Sequence, residues 1–98
     1  MNDVWRSDFS LPYQHPALPG HFPGRPRVPG VLLLEQAARA LRAWRGVAMA
    51  GVIEAKFLAA LQPGMAATVE LHADGTRVRF AIRQGATLIA RGLLDPGT

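Results

Sequence analysis

Two side chains with proton chemistry stand close together near the start of the chain. His21 lies between Gly20 and a Phe22-Pro23-Gly24 turn, and Glu35 follows fourteen residues later, directly after the apolar run Val31-Leu32-Leu33-Leu34. Pro19 and Pro23 bracket the histidine while Gly20 and Gly24 allow tight backbone paths, so the imidazole can be held in one place. An imidazole titrates near neutrality and suits a general base. The alternative reading is a loop histidine that bonds a turn carbonyl. Glu35 also has two readings: an acid partly desolvated by its apolar neighbours, or a solvated helix-face carboxylate paired with Arg39 or Arg42. Gly30 adds a third element, because free N–H groups at a helix start point outward and a glycine there lets a carbonyl approach the backbone.

These residues need a frame, and the sequence spells one out. Five prolines from Pro16 to Pro29 preclude regular structure there but leave a stiff loop with little freedom to lose on folding. The spacing predicts a helix from about Pro29-Gly30 to Gly46. Leu34, Ala37, Ala38, Leu41 and Trp44 form its apolar face, and Arg39, Arg42 and Arg45 gather where cations suit the macrodipole. A short strand is expected over residues 4–11. Further strands are expected at GVIEAKF from Gly51, ATVELHA, TRVRFAIR and ATLIARGLL, with hairpin signals at Asp74-Gly75 and Gln84-Gly85 and a turn at Gln62-Pro63-Gly64. Val78, Phe80 and Ile82 alternate with Arg77, Arg79 and Arg83, as in a sheet with one wet face. One long apolar helix beside an antiparallel meander is an α+β arrangement, the sheet of about five strands covering the helix.

Composition bounds the rest. Ninety-eight residues make a single domain, 1–98, with 49% hydrophobic and 18% charged residues. No stretch is apolar enough for a membrane span, no signal peptide is apparent, and there is no cysteine, which is compatible with a cytoplasmic protein. The net charge of +4 favours an acidic partner. Nucleic acid is disfavoured because the arginines are scattered without an aromatic-interleaved stripe. The three histidines, His15, His21 and His72, lack metal-ligand spacing, and no metal is expected. His15 and His72 are read as structural and solvated, Trp44 as core, and Phe57 and Met65 as packing.

The segment His21-Phe22-Pro23-Gly24-Arg25-Pro26-Arg27-Val28-Pro29-Gly30-Val31-Leu32-Leu33-Leu34-Glu35 closely resembles the signature of hot-dog-fold 3-hydroxyacyl-acyl-carrier-protein dehydratases of the glutamate type. Weaker similarity runs through Ala55-Lys56-Phe57 and Pro63-Gly64. The resemblance implies a curved antiparallel sheet wrapped around one central helix. It implies that His21 removes the α-proton of a 3-hydroxyacyl thioester and Glu35 protonates the leaving hydroxyl. It also implies that the Gly30 N–H steadies the enolate-like oxygen, with Val31 and Phe22 lining the substrate site. No cofactor is implied. The implied partners are an acyl carrier protein, with Arg25, Arg27, Arg39 and Arg42 as docking cations, and a second hot-dog subunit in a homodimer or heterodimer, His21 of one chain facing Glu35 of the other. A fatty-acid, polyene or polyketide-like pathway is the expected setting. The family's usual N-terminal helix and first strand are expected to be absent or reduced. Arg39 stands where relatives commonly carry glutamine. A hot-dog thioesterase using Glu35 to activate water, and a non-catalytic carrier-binding subunit, remain alternatives.

Overall fold

The computed structural model describes residues 3–12 and 28–97. Strand β1 spans Val4–Phe9, helix α1 Gly30–Arg45, β2 Gly51–Phe57, β3 Ala67–Asp74, β4 Arg77–Gln84 and β5 Thr87–Asp95. The strands form one antiparallel sheet in the order β1-β3-β4-β5-β2. The meander β3-β4-β5 is its centre, and the two strands on either side of the helix in sequence become its two edges. This is the expected α+β architecture, a five-stranded sheet on one helix.

Helix α1 ends as its composition directs. Gly46 takes the left-handed conformation (φ 69°) and its N–H donates to the Arg42 carbonyl at 2.8 Å. Arg42 and Arg45 sit in the last turn, against the negative end of the dipole. The Arg45 guanidinium stacks 4.2 Å from the Trp44 ring centroid. The buried face comprises Leu32, Leu33, Ala37, Ala40 and Leu41, while Leu34, Ala38 and Trp44 are half-buried. The face is thus turned slightly from the expected one. The sheet seats on the line through Leu33, Ala37 and Leu41, which leaves Leu34 and Ala38 on its flank beside Glu35. Each fully buried leucine contributes about 1.5–3 kcal/mol.

The sheet supplies the other half of the core. Val69, Leu71, Val78, Phe80, Ile82 and Leu94 are buried, and the intervening Arg79, Arg83 and Arg91 are exposed. In β5 both Ile89 and Ala90 are buried, because the register against β4 shifts between Ile82 and Arg83. The hairpins differ from expectation by one residue. Asp74 pairs with Arg77 and Gln84 with Thr87, so the turns are Gly75-Thr76 and Gly85-Ala86. Glycine takes the first central position, with φ of 59° and 60°, where a side chain would be strained. Strand β1 stops at Phe9 rather than residue 11. Leu11 is nevertheless buried, and its carbonyl accepts the Gly64 N–H at 2.7 Å.

Two further features fix the sheet's margins. Gln84 is buried, accepts the Gln62 N–H at 2.8 Å and donates to the carbonyls of Gln62 and Met65 at 3.0 and 3.2 Å, which clamps the turn between β2 and β3. Gly92 lies where a β-carbon would run into the Glu54 carbonyl and the Phe80 ring, so β2 can lie against β5 only over a glycine.

Candidate active site

The helix start is the focus of the site. Pro29 precedes it in extended geometry with no side-chain cap, and the first turn holds no acid, so the positive end of the dipole is not neutralised by its own side chains. Gly30 opens the helix directly beneath Phe57. A β-carbon on Gly30 would lie 2.7 Å from the Phe57 ring, so glycine permits this close approach. Phe57 closes β2 and is 50% exposed. It does more than pack: its ring takes the space that a side chain at the helix start would fill. Nothing in the local sequence marks this role. The signal is relational, a glycine at a helix start and an aromatic residue at the end of the next strand. An open apolar hollow of about 320 Å³, lined by Val28, Phe57, Leu58, Ala59 and Ala60, lies next to the helix start.

Val31 projects into solvent at 68% exposure, and Glu35 stands one turn further on. Of its two readings, this structure shows the solvated, paired one: the Arg39 guanidinium donates to Glu35 Oε1 at 2.8 Å, with both side chains substantially exposed. One carboxylate oxygen is engaged along the helix, and the other has no ion-pair partner among the described residues. Arg42 is exposed on the same helix and forms no ion pair with Glu35. Gly30, Val31, Glu35 and Arg39 therefore follow one another along α1, with the Phe57 ring against Gly30. His21, Phe22, Arg25 and Arg27, together with His15, lie outside the described residues.

The other polar groups sit elsewhere. Glu70, on the outer face of the sheet, takes a hydrogen bond from Arg6 Nε at 2.7 Å and lies 2.6 Å from His72 Nε2. These contacts, His72 first and Arg6 second, hold its carboxyl below the ordinary carboxylate value. His72 is therefore half-buried and paired, where the sequence suggested a solvated residue. Among the described residues no cluster of His, Asp or Glu could hold a metal ion. Among them also, no helix is long and apolar enough to cross a membrane.

One curved antiparallel sheet around one helix, with an uncapped helix start facing an apolar hollow, is the hot-dog fold. The family model for ApeI-like dehydratases (ApeI dehydratase) matches residues 2–92, and the chain belongs to that family. It is 34% identical over 85 residues to the 3-hydroxyacyl-[acyl-carrier-protein] dehydratase FabZ of Klebsiella pneumoniae subsp. pneumoniae, and equally so to that of Salmonella arizonae. These matches take in 76% of the chain and 56% of each relative, so the chain spans little more than half the length of these curated relatives. Among solved structures, the dehydratase heterocomplex ApeI:P from Xenorhabdus doucetiae superposes with a TM-score of 0.79 at 19% identity, covering 97% of this chain and 88% of that one. The fluoroacetyl-CoA-specific thioesterase FlK superposes at 0.63 with 20% identity, covering 96% and 91%. At such identities the superpositions speak for the fold alone.

Proposed function

We propose that this chain dehydrates carrier-bound 3-hydroxyacyl thioesters to trans-2-enoyl thioesters. The observation that carries the reading is the placement of Glu35 on the exposed helix face, one turn from a helix start without a side-chain cap, where glycine lets the Phe57 ring approach closely. In the proposed reaction His21 takes the proton from Cα, and the electrons of that C–H bond form the Cα–Cβ double bond. The C3–O bond breaks, and the hydroxyl leaves as water with a proton from Glu35. The Gly30 N–H, at the positive end of the dipole, stabilises the negative charge that develops on the thioester oxygen. One such donor is worth roughly 2.7–4 kcal/mol in other enzymes, and each positioned proton-transfer group about 10²–10⁴-fold. Val31 and Phe22 line the acyl path. Arg25, Arg27, Arg39 and Arg42 supply cations for an acidic carrier, in a fatty-acid, polyene or polyketide-like pathway. His21 of one subunit works with Glu35 of another, so the active form is at least a dimer.

The Arg39–Glu35 pair also favours a second reading, a carbon–oxygen bond left intact while the paired carboxylate activates water and the thioester is hydrolysed. Mass spectrometry of carrier-bound 3-hydroxyacyl chains incubated with the pure protein, Glu35→Gln and His21→Ala separates the two. Enoyl product from the unmodified protein alone, with either variant slowed at least ~10²-fold, is the expected result. Free acid would establish the hydrolase instead, and neither product would refute both.

A further inference from the structure

The face of the sheet turned away from the helix carries a charge pattern of its own. Side chains alternate along a strand, so Arg79, Ala81 and Arg83 of β4 share that outer face. The ladder sets Ala81 beside Glu70 of β3 on one side and beside Arg91 of β5 on the other. Three arginines thus surround one alanine, two along its own strand and one directly across from it. Its short side chain leaves an open hollow of about 230 Å³ among them, with His72 and Glu54 also on its wall.

On a solvated sheet face opposite charges stabilise when they face each other across strands, and like charges directly opposite destabilise. Here Lys56 of β2 stands directly opposite Arg91. Arg83 faces Thr68 on β3 and Leu88 on β5, neither of them charged. Among the described residues neither Arg83 nor Arg91 forms an ion pair. The nearby carboxylates are engaged elsewhere. Glu70 has one oxygen 2.7 Å from Arg6 and the other 2.6 Å from His72, Glu54 lies 3.9 Å from Lys56, and Asp74 is 2.7 Å from Arg79. Two unneutralised guanidinium groups therefore stand over a recess, beside a third guanidinium and an ammonium.

Guanidinium forks match the oxygens of a phosphate, and several converging cations suit a group that carries two negative charges. None of the exposed large hydrophobic residues lines the hollow, so it offers a membrane no apolar anchor. We infer that this hollow is a binding site for the phosphate group of a soluble phosphorylated molecule, held by Arg83 and Arg91 and flanked by Arg79 and Lys56. The site lies on the opposite face of the sheet from the helix, and the inference goes beyond the dehydratase reading without depending on it.

Inorganic phosphate and pyrophosphate, titrated against the whole chain at constant ionic strength with chloride as the exchanged anion, provide the test. Amide resonances of Ala81, Arg83 and Arg91 should shift saturably, with pyrophosphate binding more tightly than phosphate. The melting midpoint should rise with phosphate and not with chloride. Arg83→Gln and Arg91→Gln should each weaken binding by about ten-fold or more, the loss of one charge-assisted hydrogen bond. Arg45→Gln, at the far end of the helix, should bind as the parent does. A second measurement separates lost binding from lost folding: without phosphate, Arg91→Gln should melt no lower than the parent, because it removes the like-charge pair with Lys56. Equal responses to phosphate and chloride, shifts centred on α1, arginine variants that bind as tightly as the parent, or binding only to phosphatidate vesicles or to a glutamate peptide would each overturn the inference.

Discussion

At the scale of single residues, the sharpest constraint falls on Glu70. Its folded-state carboxyl lies below the ordinary 4.5 because His72 and Arg6 bond the ionised form. Ionised Glu70 therefore stabilises the fold fully above that ordinary value, and the stabilisation is lost as pH falls through the lowered folded-state value. Urea midpoints followed from neutrality into acid should decline less steeply in Glu70→Gln than in the parent. Gly30 makes a different demand. In Gly30→Ala the new methyl meets the Phe57 ring, which is half-exposed and can swing outward, so the stability change should stay within about 1 kcal/mol. The displaced ring no longer covers the helix start, however, and the dehydration rate should fall. Combining Gly30→Ala with Phe57→Ala should relieve the collision, as a double-mutant cycle of melting temperatures would register. The sequence located Gly30 by its place before an apolar run, but gave Phe57 no role beyond packing, because their contact joins residues far apart in the chain.

At the scale of elements, glycine and glutamine set the margins. Gly92→Ala pushes a methyl into the Glu54 backbone carbonyl and the Phe80 ring; backbone cannot step aside as a side-chain tip can. A loss of about 3 kcal/mol, the upper part of the usual overpacking range, should appear in denaturant unfolding, with hydrogen exchange rising first along β2. Gln84→Leu fills a similar volume but abandons three backbone groups of Gln62 and Met65. It should cost about 1–3 kcal/mol for the buried groups left unpaired. Helix and strand positions were legible from periodicity because each pattern is local: the helix ends at Gly46 and β2 runs from Gly51 as the sequence indicated. Turn positions slipped by one, since a positive φ at Gly75 and Gly85 puts glycine first in the turn, and bulges at Ile53 and Ile89 carry no local signal.

At the scale of the whole molecule, the proposed reaction requires a second subunit, so the melting midpoint should climb with protein concentration. Calorimetry over a hundred-fold concentration range would measure it. By itself the sequence determined the α+β class, the helix limits, the alternating faces of the sheet and the place of Glu35 one turn into the helix, because period, capping and turn chemistry act over a few residues. The tertiary structure decided the strand order, which sends β1 and β2 to opposite edges, the Phe57 ring over Gly30, the Arg39–Glu35 contact, and the concentration of exposed apolar side chains along one edge. Strand order and the ring over Gly30 join segments distant in the chain. The Arg39–Glu35 contact, although local, was chosen among open alternatives only once the sheet had turned that side of the helix to solvent.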